Sequence, residues 1–207
     1  MTAGRRHGDP YAGMPGRRLF VAVPLPEAAV DAVSELVARV RAQPLPDGMR
    51  DVRWVRLEGV HLTLRFLGPT PDERIGPTTD AVARAADGQA PIDARLAGSG
   101  TFPPNGRPRT LWLGLSAGVE ALTALAARVD ATLVDAGWPS ESRPFRPHLT
   151  LARSDGLVAG SLVAGRLAAA LGDATVDARL DRLILFESVT GGGPARYDPL
   201  AEARLDS

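Results

Sequence analysis

The tetrapeptide His-Leu-Thr-Leu occurs at 61–64 and again at 148–151, and it uses two of the three histidines in the 207-residue chain. The copies are too far apart for a solenoid repeat, so they point to two related lobes, each built around one copy. In a strand, successive side chains alternate between faces. His61 and Thr63 therefore share one face, Leu62 and Leu64 the other, and the same holds for His148, Thr150, Leu149 and Leu151. The leucines can pack under helices, leaving an imidazole and a hydroxyl side by side on the open face of each lobe.

The segments around the repeats fit an α+β protein. "LFVAVPLP" reads as a buried strand, and Val30, Val33, Val37 and Val40 mark an amphipathic helix after Pro26. "VRWVRLEGVHLTLRFLG" reads as a strand pair turning near Glu58-Gly59, and "TPDE" at 70–73 has the form of a capping box ahead of Pro77. Two strands are expected within 92–115. A second helix carries Leu122, Leu125, Ala126, Val129 and Leu133 on one stripe, with Gly137 as its stop. After the second repeat come a helix near 161–171, one long strand in "ARLDRLILFESV" and a last strand around Tyr197. The expected architecture is a duplicated lobe: two antiparallel sheets with helices outside. Residues 1–16, rich in Gly, Pro and Arg, are expected to form a flexible tail, with 17–207 a single bilobal domain.

Composition removes several chemistries. The chain has no cysteine, hence no disulfide, thiol nucleophile or Cys-ligated zinc, and all 24 basic residues are arginine. Without lysine there is no Walker A lysine, no Schiff base and no lysyl-adenylate step. The formal net charge of zero gives no global attraction to long nucleic acid, although a local basic groove remains open. No apolar run is long enough to span a membrane, and the expected setting is a cytoplasmic monomer.

Two histidines without Cys, Asp or Glu at ligand spacing make a poor zinc site. No Gly-x-Ser-x-Gly stands in a strand-turn-helix context for serine hydrolysis. General acid-base catalysis fits better: one imidazole takes a proton while its twin gives one, as an in-line displacement at phosphorus requires. The threonine hydroxyls would then bond the non-bridging oxygens.

The doubled His-x-Thr-x resembles the two-histidine (2H) phosphoesterase superfamily, in particular its RNA 2′,3′-cyclic phosphodiesterase branch. "RLFVAVPLP", "HLTLRFLG", "RPRTLWLG", "RPFRPHLTLAR" and "LILFESV" carry the resemblance in order, from about Arg18 to Tyr197. The resemblance implies a bilobal, pseudo-symmetric fold with a central V-shaped cleft and one His-x-Thr on each wall, and hydrolysis of a terminal 2′,3′-cyclic phosphate to a 2′-phosphomonoester with neither metal nor cofactor. His61 would be the proton donor, His148 the acceptor, and Thr63 and Thr150 the phosphoryl ligands. The implied partners are RNA ends bearing the cyclic phosphate, or small cyclic nucleotides. Relatives that act on ADP-ribose cyclic phosphate or 2′-5′ oligonucleotides share these motifs, and 2′-5′ end-joining or a non-catalytic module that binds RNA ends stays open.

Four further residues are expected near the substrate. Arg65 has the parity of His61 and Thr63. Arg153 follows the second motif with the wrong parity, so it reaches the cleft only if the strand bulges or ends first. Phe20 and Trp54 are candidate stacking platforms for a base, core packing being their other fate. Arg143 and Arg146 are expected at the cleft mouth or on the surface, and His7 is assigned no role.

Overall fold

A computed structural model describes residues 15–154, 158–189 and 195–206. In chain order the elements are β1 (Arg17–Pro24), α1 (Glu27–Arg41), β2 (Arg53–Trp54), β3 (His61–Thr70), α2 (Ile75–Ala86), β4 (Ile92–Phe102) and β5 (Thr110–Ala117). There follow α3 (Val119–Asp135), β6 (Leu149–Arg153), α4 (Val158–Leu171), β7 (Val176–Leu180), β8 (Arg182–Val189) and β9 (Arg196–Arg204).

The strands run antiparallel in the order β7-β4-β5-β6-β3-β1-β8-β9, with β2 added alongside β6. The two expected sheets are the two halves of this series, and they meet edge to edge where β3 pairs with β6 through Leu62 and Leu149. Only Asp181 separates β7, at one end, from β8 near the other. Because consecutive Cα atoms lie about 3.8 Å apart, the sheet must curl until its far ends come together.

One contiguous apolar core lies under both halves on the helix side of the sheet. The predicted stripe of α3 is buried in full, and α1 buries Ala29, Val33, Leu36, Val37 and Val40. The helices cross between halves: α1 packs on α4 and β7, and α3 packs on α2 and β3. A smaller cluster of Phe20, Ala22, Ile184 and Phe186, with Phe66 and Tyr197 against it, lies apart from that core. Among the described residues no helix is long and apolar enough to cross a membrane.

Four local expectations are corrected. The 53–70 segment is not a hairpin: β2 pairs with β6, and a 3-10 turn at Leu57–Gly59 separates it from β3. The capping box does not form, because the Thr70 hydroxyl donates to Gly68 O at 3.0 Å and a 3-10 turn at Asp72–Arg74 leads into α2. Pro77 sits in the first turn of α2, where its missing N–H leaves no bond unmade. The expected long strand breaks at Asp181, since β7 pairs in one half and β8 in the other. The proposed tail falls mostly on residues outside those described. Its last residue, Gly16, already packs against the chain, with φ +113° and a Cβ position 2.7 Å from the Thr70 backbone.

Candidate active site

The join between the halves also assembles the two motifs. Leu62 and Leu149 are antiparallel partners, so one step either way along the register sets His61 against Thr150 and Thr63 against His148. The paired leucines are buried toward the helices. Alternation then leaves two imidazoles and two hydroxyls on the opposite face, arranged diagonally about a local two-fold. His61, Thr63, Thr150 and Arg153 line one notch, and Thr63 also lines the adjoining groove with His148.

Each ring is held in the same way. His61 Nδ1 and His148 Nδ1 each lie 2.7 Å from the carbonyl two residues earlier, Gly59 O and Arg146 O. A carbonyl can only accept, so each Nδ1–H donates and the unprotonated Nε2 of the neutral ring is its acceptor.

Burial drives both imidazoles toward the neutral form. His61 is pushed down to about 4, chiefly by desolvation and further by the charge of Arg153, against the Gly59 carbonyl, which favours the protonated ring. His148 is lowered by burial first and again by Arg153, opposed by the Arg146 carbonyl. The desolvating wall at His61 is aromatic: Phe20 stacks on it at 4.8 Å, Phe186 lies at 5.7 Å, and Tyr197 meets it edge-on at 4.9 Å. His148 has Phe102 edge-on at 5.0 Å and Trp112 at 6.3 Å.

Matching bulges decide which arginine faces the notch. Where β1 steps from Val21 to Ala22, its partner in β3 jumps from Arg65 to Thr63, leaving Leu64 extra. Where β5 steps from Leu111 to Trp112, its partner in β6 jumps from Ala152 to Thr150, leaving Leu151 extra. An extra residue inverts the parity of the positions that follow it, in β3 as far as a second bulge at Leu67. Arg153 is thereby turned to the face of Thr150 and lines the notch.

The same inversion turns Arg65 away, and the reading from simple alternation is corrected. Its side chain, 8% exposed, reaches across to the other lobe: Nη1 lies 3.0 Å from Glu141 Oε2, Nη2 donates to Pro139 O, and Nε lies 2.9 Å from Asp130 Oδ1, outside hydrogen-bonding alignment. Asp130 in turn accepts from Ser140 Oγ at 2.9 Å and Glu141 N at 3.0 Å. Arg65 thus ties β3 and α3 to the segment that leads into His148.

Phe20 is 3% exposed, so it offers no open face to a base and instead stacks on His61. Trp54 is half-buried, donates Nε1–H to Asp51 Oδ2 at 3.2 Å, and lines a cleft of about 970 Å³ that adjoins the notch. Arg143 and Arg146 line a groove of about 500 Å³ on the His148 side, with Phe102 and Phe145. Tyr197, Phe102 and Arg56 reach the site without any short motif to mark them, because strand pairing and loop packing bring them there.

The family model of the 2′-5′ RNA ligase superfamily matches residues 21–192. An RNA 2′,3′-cyclic phosphodiesterase of Geobacillus stearothermophilus is 37% identical over 134 residues, covering 65% of this chain and 41% of that protein. The protein of the same name from Thermus thermophilus is 38% identical over 150 residues, covering 66% and 68%. The chain thus spans less than half the length of the first relative and about two thirds of the second.

Among solved structures, TT0787 of Thermus thermophilus is similar with a TM-score of 0.67 and 30% identity, covering 91% of this chain and 97% of that one. Apo LigT of E. coli has a TM-score of 0.68 and 26% identity, covering 92% and 98%. A doubled His-x-Thr at the seam of a curled antiparallel sheet and a family match across most of the length lead to one assignment: the chain belongs to the 2′-5′ RNA ligase (2H phosphoesterase) superfamily.

Proposed function

We propose that this protein hydrolyses a terminal RNA 2′,3′-cyclic phosphodiester to a 2′-phosphomonoester by two-histidine acid-base catalysis without a metal. The observation that carries the reading is the Leu62–Leu149 register, which sets each histidine against the other motif's threonine. Relatives named for this activity support the substrate class, as does the complex of E. coli LigT, 26% identical, with 3′-AMP.

In this scheme Thr63 and Thr150 donate to the non-bridging oxygens and Arg153 offsets their charge. His148 Nε2 takes a proton from water as its oxygen bonds to phosphorus. The P–O3′ bond breaks on the opposite side, and O3′ receives the proton carried by His61 Nε2. The free rings are neutral near pH 7, and the anionic diester, by opposing the charge of Arg153, draws a proton onto His61. Trp54 supplies the stacking face for a base, while Arg65 holds the His148 segment and does not touch phosphate.

A second reading comes from the groove beside His148. Its volume of about 500 Å³ far exceeds the roughly 30 Å³ of one water, and Phe102, Phe145 and Arg146 can receive a nucleotide. A ribonucleotide 5′-hydroxyl in that groove would replace water and yield a 2′-5′ linkage.

The test is incubation with a 2′,3′-cyclic nucleotide and EDTA, with and without an oligonucleotide bearing a 5′-hydroxyl. Product carrying a 2′-phosphate is expected, reduced at least about 10²-fold in His61→Ala and in His148→Ala. A 3′-phosphate product, or turnover that requires added metal, overturns the scheme.

A further inference from the structure

The chain's single asparagine, Asn105, is followed by a glycine. The pair sits in the connection between β4 and β5, residues 103–109. Asn-Gly is the common signature of a two-residue hairpin turn, in which both central residues take positive φ. Here it does not play that part. Gly106 has φ +88°, but no other residue type among those described has positive φ, so Asn105 does not complete such a turn. The ladder has already closed below the pair, where Arg109 N donates to Phe102 O at 2.8 Å.

The fold leaves the pair unprotected. Residues 103–107 are all exposed, and among the described residues no hydrogen bond holds the Asn105 carboxamide or the Gly106 N–H. A Cβ at Gly106 would meet no atom within 4 Å, so the space beside its backbone is open. Asp87-Gly88 makes the contrast, since Asp87 N donates to Ala83 O at 3.1 Å and Asp87 O accepts from Arg128 Nη2 at 3.1 Å. A carboxylate is also a poorer electrophile than a carboxamide.

We infer that Asn105 is a site of spontaneous covalent modification, at which the Gly106 backbone nitrogen attacks Cγ of the carboxamide. The new N–Cγ bond closes a succinimide, and the side-chain nitrogen leaves as ammonia with the proton of the Gly106 amide. Water then opens the ring. Breaking the N–Cγ bond gives aspartate, and breaking the bond from the nitrogen to the Asn105 main-chain carbonyl carbon gives isoaspartate, whose backbone runs through Cβ and Cγ. The net change consumes one water, releases one ammonia and oxidises nothing. Glycine puts no side chain in the way of the attack, and the Arg107 cation beside it favours loss of the amide proton. Each molecule so altered gains a negative charge on the loop that starts from Phe102, the ring edge-on to His148.

The test is storage of the full chain in mildly alkaline buffer, beside Asn105→Gln and a free peptide of residues 103–109, followed by peptide mass analysis. The fragment bearing Asn105 should gain the mass difference between NH2 and OH and resolve into aspartate and isoaspartate forms. The intact protein should develop a more acidic form on ion exchange. Its rate should lie within about tenfold of the free peptide's, because a tenfold delay would already mean about 1.4 kcal/mol of local opening. Asn105→Gln, which would have to close a larger ring, should stay uniform. A protein that keeps its carboxamide while the free peptide loses it, or a product that is aspartate alone, overturns the inference.

Discussion

Leu64 and Leu151 hold the same place in the two halves of the sheet: each is the extra residue of a β-bulge one step past a His-x-Thr. The two bulges present Phe66 to the aromatic cluster beside His61 and Arg153 to the notch. One half therefore puts an apolar ring, and the other a cation, at equivalent points beside the motif.

That asymmetry makes Arg153 a field source for both histidines. Arg153→Ala should lower kcat/KM by about 10- to 100-fold, the loss expected for one charge-assisted phosphate contact. It should also raise both imidazole pKa values, because its charge lowers each in the intact protein. Histidine ring resonances followed by NMR across a pH titration check this. A variant in which neither ring moves would remove Arg153 from the notch.

The buried Arg65 tie predicts a different pattern. Arg65→Leu leaves Asp130 and Glu141 facing an apolar group and should destabilise the protein by about 3 kcal/mol, the low end for a broken buried pair, because both carboxylates are about one quarter exposed. Activity should fall through kcat, since the segment carrying His148 loses its anchor, and Arg65→Lys should recover part of both. Urea unfolding and steady-state kinetics measure the two effects separately.

Acid should weaken the fold in two windows. The folded protein holds His61 at about 4, below its ordinary 6.5, so between those values the unfolded chain binds a proton that the folded one does not. Stability is then full above pH about 6.5 and falls by up to about 3 kcal/mol as pH drops to 4. Glu141, held at about 2 chiefly by its hydrogen bond from Arg143, adds a further loss as pH falls from about 4.5 toward 2. Thermal melts of His61→Asn should show a shallower first window, with the remainder due to His148, which burial also lowers, and should keep the second. Saturating inorganic phosphate should narrow the first window in the wild type by favouring protonated His61.

Gly100 and Trp112 face each other across β4 and β5, and a Cβ on Gly100 would lie 2.3 Å from the indole. A fused ring held beside Phe102 and His148 cannot swing aside as a flexible chain would. Gly100→Ala should cost about 1–3 kcal/mol, the usual range for overpacking, and shift the tryptophan emission. It should also reduce activity through His148, whereas Gly165→Ala, with open space at its Cβ, should do neither.

Much of the site was legible along the chain. The doubled His-Leu-Thr-Leu put imidazole and hydroxyl on one face because alternation is a property of a single strand, and the α3 stripe read true because helical period is equally local. Phe20 could be read as a platform or as core, and the sequence did not choose, since its partners Phe186 and Tyr197 come from distant strands. Pairing β2 with β6 instead of β3, and breaking the chain at Asp181, likewise depended on which half of the sheet had a free edge.

The sequence by itself determined the two His-x-Thr motifs, their side of the strand and the duplicated plan that brings two copies together. Only the tertiary structure decided that Arg153 enters the notch while Arg65 leaves it to brace the other lobe. A bulge exists only between two strands: it arises where one ladder skips a residue of its neighbour, and a parity counted along one strand cannot register the partner that is missing.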